Sequence, residues 1–229
     1  MLNKQEKSKA LRDNVRQFYN TVCEPFSDTR ENWWDDLNFV RQFWKPGEKL
    51  LDFGCGNGRL IDFLKIDPAD YQGIDIAENM LWTARRKHPS HQFEFIADEA
   101  VTPFGRETFD SVFAIAVLHH LQPSMVAAAF KGIKHILKPK GHLVMTAWYL
   151  WDKKHLKFLI QEWVRGNWGL NASLPFVHGA YTSWRPCYWW TAGYLADAVR
   201  DAGFNVTEAR VTKDARGYKR NIVVVAQKP

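Results

Sequence analysis

The spacing of hydrophobic positions changes after Pro46–Gly47, and the change separates two kinds of structure. Before this pair, residues 3–44 carry apolar side chains at helical spacing, which predicts helices. After it, short apolar runs alternate with helical segments as far as Trp148. Repeated strand–helix units with apolar strands predict an α/β fold, in which helices cover both faces of a parallel sheet.

Glycine, proline and charged residues mark the boundaries of the predicted elements. Strands are predicted at residues 49–53, 71–76, 93–96, 109–117 and 142–148. Helices are predicted between them, at residues 59–64, 78–87 and 125–137. The segment 151–190 breaks this rhythm with irregular glycine, asparagine and proline positions. It is followed by a predicted helix at 192–202 and a terminal hairpin of strands at 204–211 and 220–227.

The chain has 229 residues, which suits a single domain. Hydrophobic residues make up 46% and charged residues 24%, values that exclude a disordered chain. No apolar run reaches ~18 residues, so we expect no membrane-spanning helix. We divide the domain into a helical cap at 1–46, a core at 47–148, an aromatic and basic insertion at 149–190, and a last helix with the hairpin at 191–229.

Cysteine usage and the amino-terminal residues bear on the compartment. The chain has three cysteines without metal-binding spacing, and its first twenty residues carry no secretory signal. Both features predict a cytoplasmic protein without disulfides. The formal charge of +6 permits an anionic partner but does not identify one.

The clearest candidate for a binding site is a glycine-rich turn after the first predicted strand. Glycines allow a tight turn and a close approach of the backbone to a ligand, and the helix that follows offers free N–H groups. A dinucleotide site would carry its third glycine where Arg59 stands. A carboxylate at Asp52 repels phosphate and attracts an ammonium group, so a ligand with an amino-acid end is favoured. The residues of this turn are Asp52, Phe53, Gly54, Cys55, Gly56, Asn57 and Gly58.

Two further acids follow the next two predicted strands. Asp75 ends the second strand, where a carboxylate can accept hydrogen bonds from ribose hydroxyls. Asp98 follows the third strand, where it can accept a hydrogen bond from an adenine amino group. The alternative is that these acids only cap the turns after the strands. Together with the glycine turn, they favour a nucleoside that carries an amino-acid group.

These segments resemble the motifs of the class I S-adenosylmethionine-dependent methyltransferases. The resemblance covers the predicted core and rests on LDFGCGNG, GIDIAENM, FIADE, TFDSVFAIAVLHHL and ILKPKGHLVMTAW. It implies a Rossmann-like seven-stranded sheet with an antiparallel last strand, and S-adenosylmethionine as the cofactor. It also implies that Asp52 and the glycine turn hold the methionine end, Asp75 the ribose and Asp98 the adenine. Ile76 and Ala116, in the second and fourth motifs, complete the expected cofactor contacts.

The methyl acceptor is a separate question. Methylation of a base amine usually has an Asn/Asp-Pro-Pro-aromatic loop after the fourth strand, and residues 114–120 contain none. No cysteine is placed as a nucleophile for carbon methylation. A carboxylate acceptor is already ionised at neutral pH and needs a cation to hold it, for which arginine is well suited. Arg30 and Arg185 are the candidates, and the sequence leaves the choice between them open.

A narrower resemblance concerns the wobble-uridine tRNA carboxymethyl methyltransferases, which esterify a carboxymethyl group on a wobble uridine. It rests on YNTVCEPFSDTRENWW, AVLHHL, TAWYLW and RPCYWWTAGYLADAVRDAGF. The resemblance implies transfer RNA as the partner, and the eukaryotic members of the family also use a small zinc-binding activator protein. By the same resemblance, the acceptor pocket and its catalytic residues would be Tyr19, Arg30, His120 and Trp148.

The pair His119–His120 follows a predicted strand at its carboxyl end, where open α/β sheets place active sites. We expect His119, Arg185 and Tyr188 to contact the substrate. The alternative for the histidines is a capping or core position. No metal site is expected, because no third ligand falls at a suitable spacing.

Seven of the chain's eleven tryptophans lie between residues 148 and 190, and the insertion has a net charge of +3. Aromatic faces stack unpaired bases and cations follow phosphates, which favours contact with RNA. The alternative is an amphipathic helix that packs its tryptophans against the sheet. Two other functions stay open: a small-molecule carboxyl- or O-methyltransferase, and a cofactor-binding partner subunit without catalysis.

Overall fold

The computed structural model describes residues 3–29, 33–100 and 103–229. Within these ranges the helices are α1 (Lys4–Asp28), α2 (Arg59–Leu64), α3 (Glu78–Lys87), α4 (Pro123–Ile136), α5 (Lys153–Val164) and α6 (Ala192–Asp201). The strands are β1 (Leu50–Phe53), β2 (Tyr71–Asp75), β3 (Gln92–Phe95), β4 (Phe109–Ala114), β5 (Leu137–Trp148), β6 (Asn171–His178), β7 (Tyr181–Tyr188), β8 (Asn205–Lys213) and β9 (Lys219–Gln227).

Seven strands form one sheet in the order β3-β2-β1-β4-β5-β9-β8. Strands β1 to β5 pair in parallel, whereas β9 runs antiparallel to both β5 and β8. The predicted seven-stranded sheet with an antiparallel last strand is therefore confirmed. Strand β5 begins five residues earlier than predicted, at Leu137 instead of His142.

The central strands read as apolar runs because helices cover both of their faces. All four residues of β1 are buried, and Asp52 is the one charged side chain among them. Parallel strands end at the same edge of a sheet, so the loops after β1, β2 and β4 come together there. This edge carries the predicted cofactor residues.

The amino-terminal cap consists of α1 and a 3-10 helix at Asp35–Phe43, where the sequence predicted helical structure. Asn3 and Glu6 form a capping box at the start of α1. The helix then packs against α3 and β7, beside the sheet edge that carries the predicted site. None of the helices in the described ranges, α1 included, is long and apolar enough to cross a lipid bilayer.

The segment predicted as irregular is regular: α5 packs against a separate two-stranded hairpin of β6 and β7. Trp189 and Trp190 are fully buried, although they follow β7 and do not lie on the amphipathic helix that the packing alternative supposed. Their indole N–H groups donate to the carbonyls of Leu150 and Leu118 at 2.8 and 2.9 Å. Two other tryptophans of the insertion face solvent, Trp168 at 82% and Trp184 at 55% exposure.

Candidate active site

A cavity opens at the edge of the sheet where β1, β2 and β4 end, and α1 covers it. Its empty volume is about 1070 Å³, with the open mouth included. Most of the predicted site residues lie in its wall: Tyr19, Asp52, Gly54, Cys55, Gly56, Asn57, Asp75, Ile76, Ala116, His120 and Trp148.

The remaining predicted residues lie elsewhere. Gly58 caps the start of α2 with a φ of 78°, and Asp98 pairs with Arg12 of α1 at 3.0 Å. Tyr188 lines a second cavity, which His120 also borders. Arg30 falls outside the described residues. His119 and Arg185 pack behind the cavity wall, as described below.

The glycine turn has the geometry that its sequence predicts. Gly54 has a φ of 77°, and a Cβ added there would lie 2.5 Å from the Val117 side chain, so only glycine fits. The N–H of Gly56 donates to Oδ2 of Asp75 at 2.8 Å, while Oδ1 of Asp75 accepts from Ala77 N at 2.9 Å. Asp75 thus ties the glycine turn to the end of β2.

Asp52 and Asp75 make the floor of the cavity acidic. Burial raises the pKa of Asp52 to about 7. The Tyr71 hydroxyl, which donates to Asp52 at 2.9 Å, lowers this pKa, whereas the nearby Asp75 carboxylate raises it further. Burial also raises the pKa of Asp75. Because ionising these acids is costly without a counter-charge, the floor is arranged to receive a cation such as an ammonium group.

Sequence reasoning missed an aromatic and cationic group at the mouth of the cavity. The guanidinium of Arg59 lies 4.3 Å from the ring of Trp34 and 5.1 Å from that of Trp33. Trp33 in turn stacks on Phe63 at 4.0 Å. The tryptophan pair beside Arg30, and an arginine directly after the glycine turn, were the signals that could have identified this group.

Three polar atoms in the wall test whether the residues fit the predicted cofactor. Nδ2 of Asn57, Nε1 of Trp33 and Oε1 of Glu99 are buried and make no hydrogen bond within the described residues. Such atoms are costly unless a ligand satisfies them. The two donors suit a carboxylate, Oε1 of Glu99 suits an amino group, and Asp52 suits an ammonium group. This set of donors and acceptors fits S-adenosylmethionine.

Tyr19 and His120 meet at the side of the cavity that faces α1. The Tyr19 hydroxyl lies 2.7 Å from Nε2 of His120, and Nδ1 of the same ring lies 2.9 Å from the carbonyl oxygen of Pro186. A carbonyl oxygen only accepts, so the proton is assigned to Nδ1. Burial, reinforced by the charge of Arg185, lowers the pKa of His120 to about 3 despite the Pro186 contact. The ring is therefore neutral and accepts from Tyr19.

Arg185 of β7 points inward and is only 7% exposed. Its guanidinium stacks on Trp148 at 4.1 Å, and Trp148 lines the cavity. Nε and Nη1 of Arg185 make no hydrogen bond, and no carboxylate pairs with the side chain, within the ranges the structure describes. A buried guanidinium in this state requires an anion.

His119 is fully buried behind Trp148, where the two rings stack at 4.2 Å. The candidate metal-ligand atoms of His119, His120 and Cys187 lie within 4.8 Å of one another. Cys187 is thus a possible third ligand, which sequence spacing could not reveal because it lies far along the chain from the histidines. The contacts of this group are nevertheless those of a packed protein interior. Both nitrogens of His120 are engaged, and burial raises the pKa of Cys187 to about 12, which keeps it a thiol.

A family model described as a methyltransferase domain matches residues 51–145. Among curated proteins, the chain is 33% identical to the tRNA (carboxymethyluridine(34)-5-O)-methyltransferase of Saccharomyces cerevisiae. That match covers 59% of this chain and 48% of the yeast protein. The chain spans less than half the length of each of the first curated relatives that it matches.

Solved structures share the fold at low sequence identity. An S-adenosylmethionine-dependent methyltransferase from Methanosarcina mazei matches with a TM-score of 0.71 and 19% identity, over 86% of this chain and 98% of that one. A Haloferax volcanii methyltransferase in complex with the Trm112 methyltransferase activator matches with a TM-score of 0.68 and 17% identity, over 94% and 97% of the two chains. These similarities establish the fold.

Proposed function

We propose that this chain, which has the class I methyltransferase fold and carries a methyltransferase domain at residues 51–145, methylates the carboxymethyl group of a wobble uridine in transfer RNA. The match to a methyltransferase domain and the fold support the enzyme class and S-adenosylmethionine as the cofactor. The acceptor is the new part of the proposal. The similarity of this chain to the yeast enzyme supports that acceptor.

The observation that carries the proposal is the buried guanidinium of Arg185. It lies behind Trp148 and next to His120, with two nitrogen atoms that no described residue satisfies. Arginine is well suited to bind a carboxylate, because its guanidinium stays charged and offers several N–H donors. A carboxylate that reaches the guanidinium past Trp148 would neutralise its charge and accept from one of these donors.

The same site is poorly arranged for an acceptor that must lose a proton. A hydroxyl acceptor needs a general base, and His120, with a pKa of about 3, is a weak one at neutral pH. The hydroxyl of Tyr19 donates its hydrogen bond to His120 and is not positioned as a base. A carboxylate arrives ionised and needs only a position and a counter-charge. The residues beside the cavity therefore suit a carboxylate acceptor better than a small hydroxyl compound, the rival acceptor.

When bound, S-adenosylmethionine supplies a sulfonium methyl group, whose transfer forms an O–CH₃ bond as the S–CH₃ bond breaks. The residues of the chain provide alignment. Arg185 orients the carboxylate, Trp148 shields it from water, and Tyr19 and His120 fix the wall beside it. Asp52 and the glycine turn would hold the methionine end of the cofactor.

The insertion supports RNA as the carrier of the acceptor. Lys153, Lys154 and Lys157 of α5 are exposed, and so are Trp168 and Trp184. Exposed aromatic rings among cations are typical of surfaces that bind unpaired nucleotides. A transfer-RNA substrate also carries with it the expectation of a cytoplasmic location.

We also propose a small activator protein as a partner. The support is the Haloferax volcanii neighbour, which forms a complex with such an activator. Co-expression with a Trm112-type protein should raise the yield of folded enzyme and its rate, and unchanged yield and rate would count against this partner.

Replacement of Arg185 tests the acceptor. Arg185→Gln should reduce methyl transfer to carboxymethyl-modified transfer RNA by about 100-fold, while calorimetry should give almost unchanged affinity for S-adenosylhomocysteine. Arg165→Gln, which replaces an exposed arginine of the same insertion, serves as the matched control. Full activity of Arg185→Gln would contradict the carboxylate role.

A further inference from the structure

Glu99 lies in the loop after β3, and it is the next residue after Asp98. The side chains of these two acids have different surroundings. The side chain of Asp98 is 40% exposed, and its Oδ1 accepts from the N–H of Ala100 at 2.9 Å. The side chain of Glu99 is only 5% exposed and lines the cavity. The acid that reaches the cavity is therefore the neighbour of the one predicted from the sequence.

Arg12 of α1 holds Glu99 from one side. Its Nε donates to Oε2 of Glu99 at 2.5 Å, and its side chain is 13% exposed. The other oxygen, Oε1, is buried and makes no hydrogen bond within the described residues. A buried carboxylate oxygen without a donor is costly, so a donor supplied by a ligand would stabilise it.

The position of Glu99 along the sheet identifies the part of the ligand that it meets. Strands β1, β2 and β3 are neighbours, and their carboxyl ends carry Asp52, Asp75 and Glu99 in that order. A ligand with its ammonium group at Asp52 and its ribose at Asp75 brings its base towards Glu99. Ile76 and Ile96 add apolar surface on which a planar base can lie.

We propose that Glu99, rather than Asp98, accepts a hydrogen bond from the exocyclic amino group of adenine and so selects the base of the cofactor. Arg12 is the positioning residue, because it fixes one carboxylate oxygen and leaves the other to the ligand. The inference rests on S-adenosylmethionine as the cofactor in the proposed function. It does not depend on the methyl acceptor.

Calorimetry with S-adenosylhomocysteine and S-inosylhomocysteine tests this assignment without any catalytic turnover. The inosine analogue replaces the amino group with an oxo group, which cannot donate to Glu99. The wild-type protein should bind the adenine compound at least about tenfold more tightly. Glu99→Gln should reduce this ratio to about threefold or less, because its amide can donate to the oxo group.

Asp98→Asn is the matched control and should keep the wild-type ratio. If Glu99→Gln does not fold, Glu99→Asp decides, since it keeps the charge opposite Arg12 but withdraws the oxygen from the base and should lower the ratio. If both Glu99 variants keep the wild-type affinity ratio, or if Asp98→Asn loses it, the assignment of Glu99 is overturned while the proposed function stands. A wild-type protein that binds neither compound would overturn the cofactor, and the proposed function with it.

Discussion

Tyr19 donates its phenolic hydrogen bond to Nε2 of His120 across 2.7 Å. The contact joins α1 to the turn after β4, because the two residues are 101 positions apart in the chain. The carbonyl of Pro186 holds the opposite nitrogen of the ring and adds β7 to the same chain of hydrogen bonds. The helical cap, the core and the insertion therefore meet at one neutral histidine.

Tyr19→Phe should slow methyl transfer by roughly 10- to 100-fold, because His120 loses the donor that fixes its ring in the wall. Affinity for S-adenosylhomocysteine should change little, since Asp52 and the glycine turn remain. Steady-state kinetics and calorimetry separate the two effects. Tyr149→Phe is the control, because that hydroxyl contacts only the exposed Lys219 in the hydrogen bonds described. Equal rates in both variants would contradict the role of Tyr19.

Cofactor binding should depend on the ionisation of Asp52. The pKa of this acid is raised to about 7, and an ammonium group needs the ionised form. Below pH 7 the protein must therefore release a proton when it binds S-adenosylhomocysteine, and affinity should fall by up to about tenfold for each pH unit.

Calorimetry near pH 6 in two buffers of different ionisation enthalpy measures that proton. Asp52→Asn should bind more weakly and should show little proton release. If the wild-type protein releases no proton near pH 6, Asp52 is not the group that receives the ammonium.

Gly54→Ala and Gly47→Ala form a matched pair. Both glycines have a φ near +80°, at 77° and 89°, but an added Cβ meets the Val117 side chain at 2.5 Å only at Gly54. Gly47→Ala should cost about 1–2 kcal/mol in unfolding free energy and leave cofactor binding intact. Gly54→Ala should cost more and reduce affinity at least about tenfold, since the clash displaces the turn. Denaturant titration measures the unfolding free energy, and calorimetry measures the cofactor affinity. Equal losses in the two variants would refute the close approach of Gly54 to Val117.

The core could be predicted from the sequence because its signals are local. Helices α2 and α3 begin and end where the sequence predicted, since glycine and charged residues bound their periodic segments. The hairpin of β6 and β7 could not be predicted in this way. Its strands contain Pro175 and Pro186, which are unusual inside strands, and the charged side chain of Arg185 lies on the buried face of β7.

The places of Asp52 and Asp75 in the cavity wall could be predicted, because each is set by the end of a single strand. The site was not predictable where neighbours compete or distant segments meet. The sequence favoured Asp98, whereas in the folded chain Arg12 pairs with both acids and it is Glu99 that lines the cavity. Likewise, the alternation of β7 turns Arg185 inward and Trp184 outward, and the register that decides this is a property of the folded hairpin.

Trp184 should contribute to RNA binding and Trp82 should not. The two side chains are similarly exposed, at 55% and 52%, but Trp82 lies on α3, outside the insertion. Stacking of a base on Trp184 predicts that Trp184→Ala weakens transfer-RNA binding by roughly 5- to 100-fold. Filter binding at several salt concentrations measures this, and the affinity should fall steeply with salt. Equal losses in Trp184→Ala and Trp82→Ala would argue against an RNA surface on the insertion.

The most direct test of the central claim is a methyl-transfer assay on two preparations of transfer RNA, one with a carboxymethyl group on its wobble uridine and one without it. We predict that radiolabelled methyl from S-adenosylmethionine enters only the first preparation and is released by mild base, as an ester requires. Base-stable label, or equal incorporation into both preparations, would contradict a carboxylate acceptor.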